Sequence, residues 1–362
     1  MSVTEKDRIP PVPAFGGAVR PRHGTGWTVA ALAVAAVLLL PSLTVLWSLT
    51  APPSENWAHL GSTVLPGYIL NTLKLMALVA IMTAMIGVGT AWLTVTSTLP
   101  GRAILSWALV LPLATPGYIV AYVYTDLLSF AGPVQSALRG VTGWHTGDYY
   151  FPPVRSLPGA AIMLSLVLYP YVYLLARATF QRQSAALFDA ARNLGAKPWR
   201  AFLRVALPCA RPAIAGGLAL VLMETISDFG VVDYFAVQTL TTGIFRTWFS
   251  LGDPVSAAQI AAWLFIFAIA LVFAEMASLR GRVANPLARD MPPRPRRLAG
   301  LAAAGALLAR ALPPFLLFFV SPPLPLPSAV VACYPLPALT FLPFALNRLP
   351  LAALPPDLPT RP

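Results

Sequence analysis

Glu224 and Asp228 lie four residues apart inside an apolar run that starts near Pro212 and continues to about Phe235. On a helix that spacing puts both carboxylates on one face, with Thr225 and Ser227 beside them. A carboxylate inside an apolar span is costly and usually faces a cavity or a partner. The pair has two readings. It lines a path for a solute, where its hard oxygens would suit Fe3+, or it locks neighbouring helices as an internal or protonated pair. Other chemistry has little to stand on. Cys209 and Cys333 are the two cysteines, and they have no metal or redox spacing. His23, His59 and His145 are scattered, which leaves no metal-ligand set. No Gly-x-x-x-x-Gly-Lys-Ser/Thr sequence occurs, so any ATP used must be hydrolysed on a partner. A membrane-embedded enzyme would need His, Asp, Ser or Cys converging at one membrane depth, and no such constellation is present. No catalytic residue, metal or cofactor is assigned to the chain.

The elements that must hold these residues are apolar helices. Of 362 residues, 57% are hydrophobic and 10% charged, with a mean hydropathy of +0.70. A soluble domain carries about 25% charged residues. The apolar residues come in runs near the length that crosses a bilayer. Backbone groups in lipid must be satisfied within the segment, which selects helices. Short alternating segments of the kind that build a membrane β-barrel are absent. The runs are about Trp27–Leu49, Ile69–Val95, Ala103–Tyr124, Pro158–Ala176, Pro212–Phe235 and Ile260–Leu279. The first is too long for a signal-peptide core and is read as a retained span. Leu99, Pro100 and Gly101 make a tight turn between the second and third. Gly87 and Gly89 would allow close helix approach. Tyr118, Tyr122 and Tyr124 near the end of the third run could line the same path, but ordinary helix packing suits them better.

Basic residues set the orientation. With the N-terminus in the cytoplasm, eighteen Lys and Arg fall on the inner side. They are Lys6, Arg8, Arg20, Arg22 and Arg102, seven from Arg177 to Arg211, and six from Arg280 to Arg297. Lys74, Arg139, Arg155 and Arg246 make four on the outer side. The net charge of +12 is thereby explained by topology rather than by a nucleic-acid partner. Trp27, Trp47, Trp57, Trp107, Trp144 and Trp248 mostly fall near span ends, as interfacial anchors do.

The inner segment 181–208 carries two short helical patterns around Gly195. Leu187, Ala190, Ala191 and Leu194 share one face. Gly195 suits a helix C-terminus with positive φ, and Pro198 suits the first turn of a second helix. Trp199, Phe202 and Leu203 form its apolar face, Arg200 and Arg204 its basic edge, and Pro208 is expected to close it. Such a unit fits a groove on a partner or lies on anionic lipid, and spacing alone leaves both open.

Asp189-Ala190-Ala191, then Gly195, then Val205-x-Leu207-Pro208 resembles the Glu-Ala-Ala loop of ABC importer permeases, with matching spacing and Asp in place of the usual Glu. Met223-Glu-Thr-Ile-Ser-Asp-Phe-Gly230 and Gln238-Thr-Leu-Thr-Thr-Gly-Ile-Phe-Arg-Thr-Trp248 are similar to the ferric-iron branch of that family. Thiamine, phosphonate and polyamine branches share parts of the pattern. Asn71-Thr72 resembles a position where the family often carries that pair. The resemblance covers roughly residues 27 to 285. It implies an all-α, six-helix MetI-like permease bundle in the bacterial inner membrane. It further implies a cytoplasmic ABC ATPase dimer docked on Asp189, Ala190, Ala191, Gly195, Val205, Leu207 and Pro208. A periplasmic substrate-binding protein and a second permease half complete the implied assembly, with ATP spent on the ATPase. A passive channel or scaffold would need no such docking loop.

The chain divides into a cytoplasmic segment 1–26, a permease domain 27–285 and a basic, Pro-rich tail 286–362. Leu298 to Val320 would make a seventh span, but Arg310, Pro313 and Pro314 interrupt it. Iron-branch permeases are commonly fused duplicates, so the expectation is one half followed by a truncated or frame-shifted second half. A genuine disordered tail is the alternative.

Overall fold

A computed structural model describes residues 25–98, 101–145, 147–183, 190–191, 193–279, 296–297 and 300–318 of the protein. The chain divides into two units, one ending at Pro52 and one beginning at Pro53. The first holds α1 (Thr25–Trp47), a helix apolar around its whole circumference and exposed along its length. A helix of that composition needs lipid or other helices around it.

The second unit is an all-helical bundle, apart from a two-residue parallel bridge between Ser97–Thr98 and Arg296–Arg297. Its elements begin with α2 (Glu55–Thr63), α3 (Leu65–Thr96), α4 (Arg102–Ala108), α5 (Gly117–Leu128), α6 (Pro133–Thr142) and α7 (Leu157–Arg182). Then come α8 (Pro198–Ala201), α9 (Leu207–Ser227), α10 (Gly230–Tyr234), α11 (Leu240–Phe249), α12 (Pro254–Leu279) and α13 (Gly300–Phe318). Among the described residues, five helices are long and apolar enough to cross a bilayer, or six if the bent pair Arg102–Ala114 and Gly117–Thr142 is counted as one span.

The core is a slab with α7 in the middle. Gly87 of α3 lies against its backbone, where a Cβ would come within 2.8 Å of Val172 Cβ and 3.0 Å of the Tyr169 carbonyl. Gly217 of α9 packs on the other flank, 2.8 Å from Val172 Cα by the same measure. Two glycines thus let two helices approach one valine, which dispersion rewards in lipid as in water. Gly89 has open space around it and plays no such part. Polar side chains within α3 satisfy themselves. Thr72, Thr83, Thr90 and Thr94 each donate to the carbonyl four residues back at 2.6–2.8 Å. That removes their desolvation cost in an apolar setting.

Five sequence expectations are corrected. The run Ala103–Tyr124 is no single helix: Arg102–Ala114 and Gly117–Thr142 meet at 97°. Pro116 causes the break, because it lacks an N–H and drives Thr115 to an extended ψ of 122°. The run expected to start at Pro212 begins earlier, and Pro208 does not end a helix. A π-turn at Phe202–Ala206 precedes α9, with Pro208 in its first turn, where a missing N–H costs little. That helix also stops at Ser227 rather than Phe235. Finally, α13 forms through Pro313 and Pro314, both buried, although its apolar core is shorter than a full span. Residues 319–362 of the tail lie outside the described residues.

Candidate functional site: a protruding loop and an exposed carboxylate

The segment after α7 has a buried root and an exposed tip. At the root, Gln183 is buried and its Nε2 donates to the Ala206 carbonyl at 2.9 Å, tying the end of α7 to the π-turn. Phe202 enters an aromatic cluster, with ring centroids 4.8 Å from Trp92 of α3 and 6.4 Å from Phe180 of α7. Trp92 and Phe180 meet edge to face at 5.4 Å, a geometry that adds about 1 kcal/mol beyond area burial. Val205, Leu207 and Pro208 are half-buried, and Leu207 packs against the core.

At the tip, Ala190 and Ala191 are helical. The Leu194 N–H donates to the Ala190 carbonyl at 3.1 Å and the Ala196 N–H to Ala191 at 3.0 Å. Gly195 sits between them at φ +79°. The 6→1 bond across a left-handed residue is the closure expected of a glycine-ended helix. Leu194 is 88% and Trp199 66% exposed. The sequence grouped Trp199, Phe202 and Leu203 on one face; Trp199 and Phe202 do meet, with ring centroids 5.9 Å apart, but Phe202 packs inward on the core while Trp199 and Leu203 stay exposed. Asp189 lies outside the described residues. The remaining loop residues thus separate into a tip of Ala190, Ala191 and Gly195 and a root of Val205, Leu207 and Pro208.

The carboxylate pair also divides. Asp228 is the residue that ends α9, with ψ 127°. Its Oδ1 accepts from the Val231 N–H at 3.0 Å and the Val232 N–H at 3.2 Å. Its Oδ1 therefore caps the start of α10. Thr241 Oγ1 donates to the Asp228 carbonyl at 3.0 Å, holding α11 to this break. Glu224 itself is exposed, and it shares its face with Leu220 and Met223, 43% and 39% exposed.

Three features escaped the sequence reading. Glu275 of α12 comes within 3.1 Å of where a Cβ on Gly216 would stand, eight residues before Glu224 on the same helix. It was legible as a carboxylate in the last apolar run. Asn71 Nδ2 donates to the Gln238 carbonyl at 3.0 Å, and Thr72 Oγ1 accepts from the Leu240 N–H at 3.0 Å. The pair that sequence left without chemistry ties α3 to the start of α11. The third is Asp253, which caps α12 by accepting from the Ser256 N–H at 3.0 Å. Its other oxygen accepts from Ser54 Oγ, and from Asn56 Nδ2 at 3.2 Å. Burial pushes this carboxyl up, but the hydrogen bonds from Ser256, Ser54 and Asn56 outweigh it and hold the pKa at about 2.

A bundle of membrane-length helices with a rooted, protruding helix-glycine-helix loop defines a class of transport subunit rather than an enzyme. Residues 84–283 match the family of binding-protein-dependent transport system inner membrane components, and the chain belongs to that family. It is the permease subunit of an ABC importer. The chain is 28% identical over 211 residues to the molybdenum transport system permease protein ModB of Escherichia coli K12, covering 58% of this chain and 89% of that one. It is 26% identical over 206 residues to the Fe(3+)-transport system permease protein FbpB 2 of Haemophilus influenzae, covering 57% of this chain and 36% of that one. In fold it resembles a bacterial ABC transporter involved in the import of the acidic polysaccharide alginate, at TM-score 0.56 and 19% identity over 71% of this chain and 96% of that one.

Proposed function

We propose that this permease passes ferric iron from a periplasmic binding protein to the cytoplasm. A cytoplasmic ATPase dimer grips the loop 181–208, and a second permease half, either another copy or a separate chain, closes the path. The exposed Glu224 carboxylate on α9 carries the reading. Facing lipid, an ionised carboxylate would be very costly. Facing a second permease half across the path, it is solvated and supplies the hard oxygen that suits Fe3+. An oxyanion would be repelled there. The iron permease of Haemophilus influenzae is among the relatives, and matches this chain with about a third of its own length. In this assembly the loop tip of Ala190, Ala191 and Gly195 sits in a cleft of the ATPase, and Phe202 passes its movement to α3 and α7.

Molybdate is the second reading, because the match to ModB runs through nearly the whole of that relative. Uptake of radiolabelled ferric iron and of radiolabelled molybdate, in cells with and without this gene, separates the two. Iron uptake that falls on deletion while molybdate uptake holds supports the first. The reverse pattern replaces it with the second.

A further inference from the structure

Arg155 stands two residues before α7, at the end of that helix remote from the loop 181–208. Its Nε and Nη2 both donate to the Tyr234 carbonyl, at 2.9 and 2.6 Å. The same guanidinium lies 5.2 Å from the centroid of the Tyr234 ring, and that ring meets Tyr122 of α5 edge to face at 5.9 Å. One arginine thus holds α10 by the carbonyl and the side chain of its last residue. The rest of α10 is packed closely on α5. A Cβ on Gly117 would come within 3.1 Å of Val231 Cγ2, and one on Gly230 within 3.0 Å of Tyr118 Cβ. Val231 and Val232 are fully buried there.

Nothing in α10 itself makes this position permanent. Its five residues are too few to persist as a helix without support from neighbours. Its exit is strained as well. Ala236 adopts φ +56°, and no other non-glycine residue among the described ones has a positive φ. That conformation lets the Val237 N–H donate to the Val232 carbonyl at 2.8 Å, a closure that glycine makes without the clash of a Cβ. Such a residue persists only where its surroundings over-determine it. Here the surroundings are the Asp228 cap at one end of α10 and Arg155 at the other. Arg155 is exposed, so water competes for its hydrogen bonds and the grip is releasable. The helix behind it, α7, runs from Leu157 to Arg182, where the loop begins, and is helical through Pro170. We propose that Arg155 is a positioning residue that latches α10 onto α5 in one of two states of the permease. Movement of the loop by the ATPase shifts α7, draws Arg155 off Tyr234 and frees α10. Release relieves Ala236 and changes access to the end of α9 that carries Glu224. The latch rests on the reading of 181–208 as the loop an ATPase grips, and it is independent of the transported solute.

Val231→Cys, in a full-length chain without Cys209 and Cys333, tests this in membrane fragments from cells that carry the neighbouring genes. Val231 is at 0% exposure, so a water-soluble maleimide reaches a cysteine there only when α10 leaves α5. With Arg155 in place, labelling is expected to be slow without ATP and several-fold faster with it. Arg155→Ala is expected to make labelling fast with or without ATP, and Arg155→Lys, which keeps a cation and one hydrogen bond, to fall between. Ala236→Gly removes the cost of the positive φ. It is expected to fold at least as well and to slow labelling under ATP. Labelling indifferent to ATP with Arg155 in place overturns the latch, even if Arg155→Ala fails to fold. So does an Arg155→Ala chain whose labelling still rises with ATP as before. A cysteine at Leu194 that cross-links to an ATPase, alongside labelling at position 231 that ignores ATP, removes the latch while the loop reading stands. Absence of that cross-link removes the loop reading, and the latch with it.

Discussion

At the scale of single residues, the decisive contrast is between two carboxylates four positions apart. The sequence places Glu224 and Asp228 on one helical face. The chain leaves the helix at Asp228, and the Asp228 carboxylate caps the next one, a duty Glu224 does not share. Their substitutions should therefore fail in different ways. Glu224→Gln is expected to slow ferric uptake about tenfold through loss of a charged contact, with protein level on immunoblots unchanged. Asp228→Ala is expected to cost about 1 kcal/mol as a lost cap, so uptake falls with the amount of folded protein and the rate per molecule holds. Asp253 makes a pH prediction. Its pKa is held below the ordinary carboxylate value, so its contribution to stability is present above about pH 4 and is lost as pH falls through about 2. Thermal midpoints of wild type and Asp253→Asn should thus differ at neutral pH and converge toward that limit. A constant gap across the range would mean that ionised Asp253 does not hold α2 to α12.

At the scale of elements, hydropathy located most spans because their apolar runs are long and their polar threonines are satisfied internally. It failed where proline acts through the backbone. Pro116 breaks the third run and Pro208 does not break the fifth, although both look alike as residues. The difference is context: the π-turn before Pro208 rearranges the preceding hydrogen bonds, and a one-residue rule does not register it. The loop was legible in outline, since Gly195 carries its own reason in its positive φ. Its division into root and tip was not, because the partners of Phe202, Trp92 and Phe180, are distant in sequence. The division yields an element-scale prediction. Phe202→Ala should leave the ATPase bound while reducing the uptake obtained per ATP hydrolysed, because the lever loses its grip on α3 and α7. Gly195→Pro should reduce binding of the ATPase itself. Co-purification and coupled ATPase assays in membrane vesicles distinguish the two. Equal loss of binding in both would remove the root-and-tip description.

At the scale of the whole molecule, one bundle presents Glu224 on a face that its own helices leave open. The same bundle holds a loop that exposes two large apolar side chains, Leu194 at 88% and Trp199 at 66%. In the proposed assembly the first surface meets a second permease half and the second enters an ATPase cleft. α7 links them. It sits between Gly87 of α3 and Gly217 of α9, and its last residue leads into the loop. Gly87 and Gly217 thus hold α7 in close backbone contact with both α3 and α9. The measurement that tests this most directly is site-directed cross-linking in intact membranes. A single cysteine is placed at Leu194 in a background without Cys209 and Cys333, and cells carry the genes that neighbour this one. The loop as a cytoplasmic lever predicts a cross-link to a nucleotide-hydrolysing subunit that changes in yield with ATP, and no labelling of that cysteine by an impermeant thiol reagent added outside. Labelling from outside, with no cross-link to any ATPase, would contradict it.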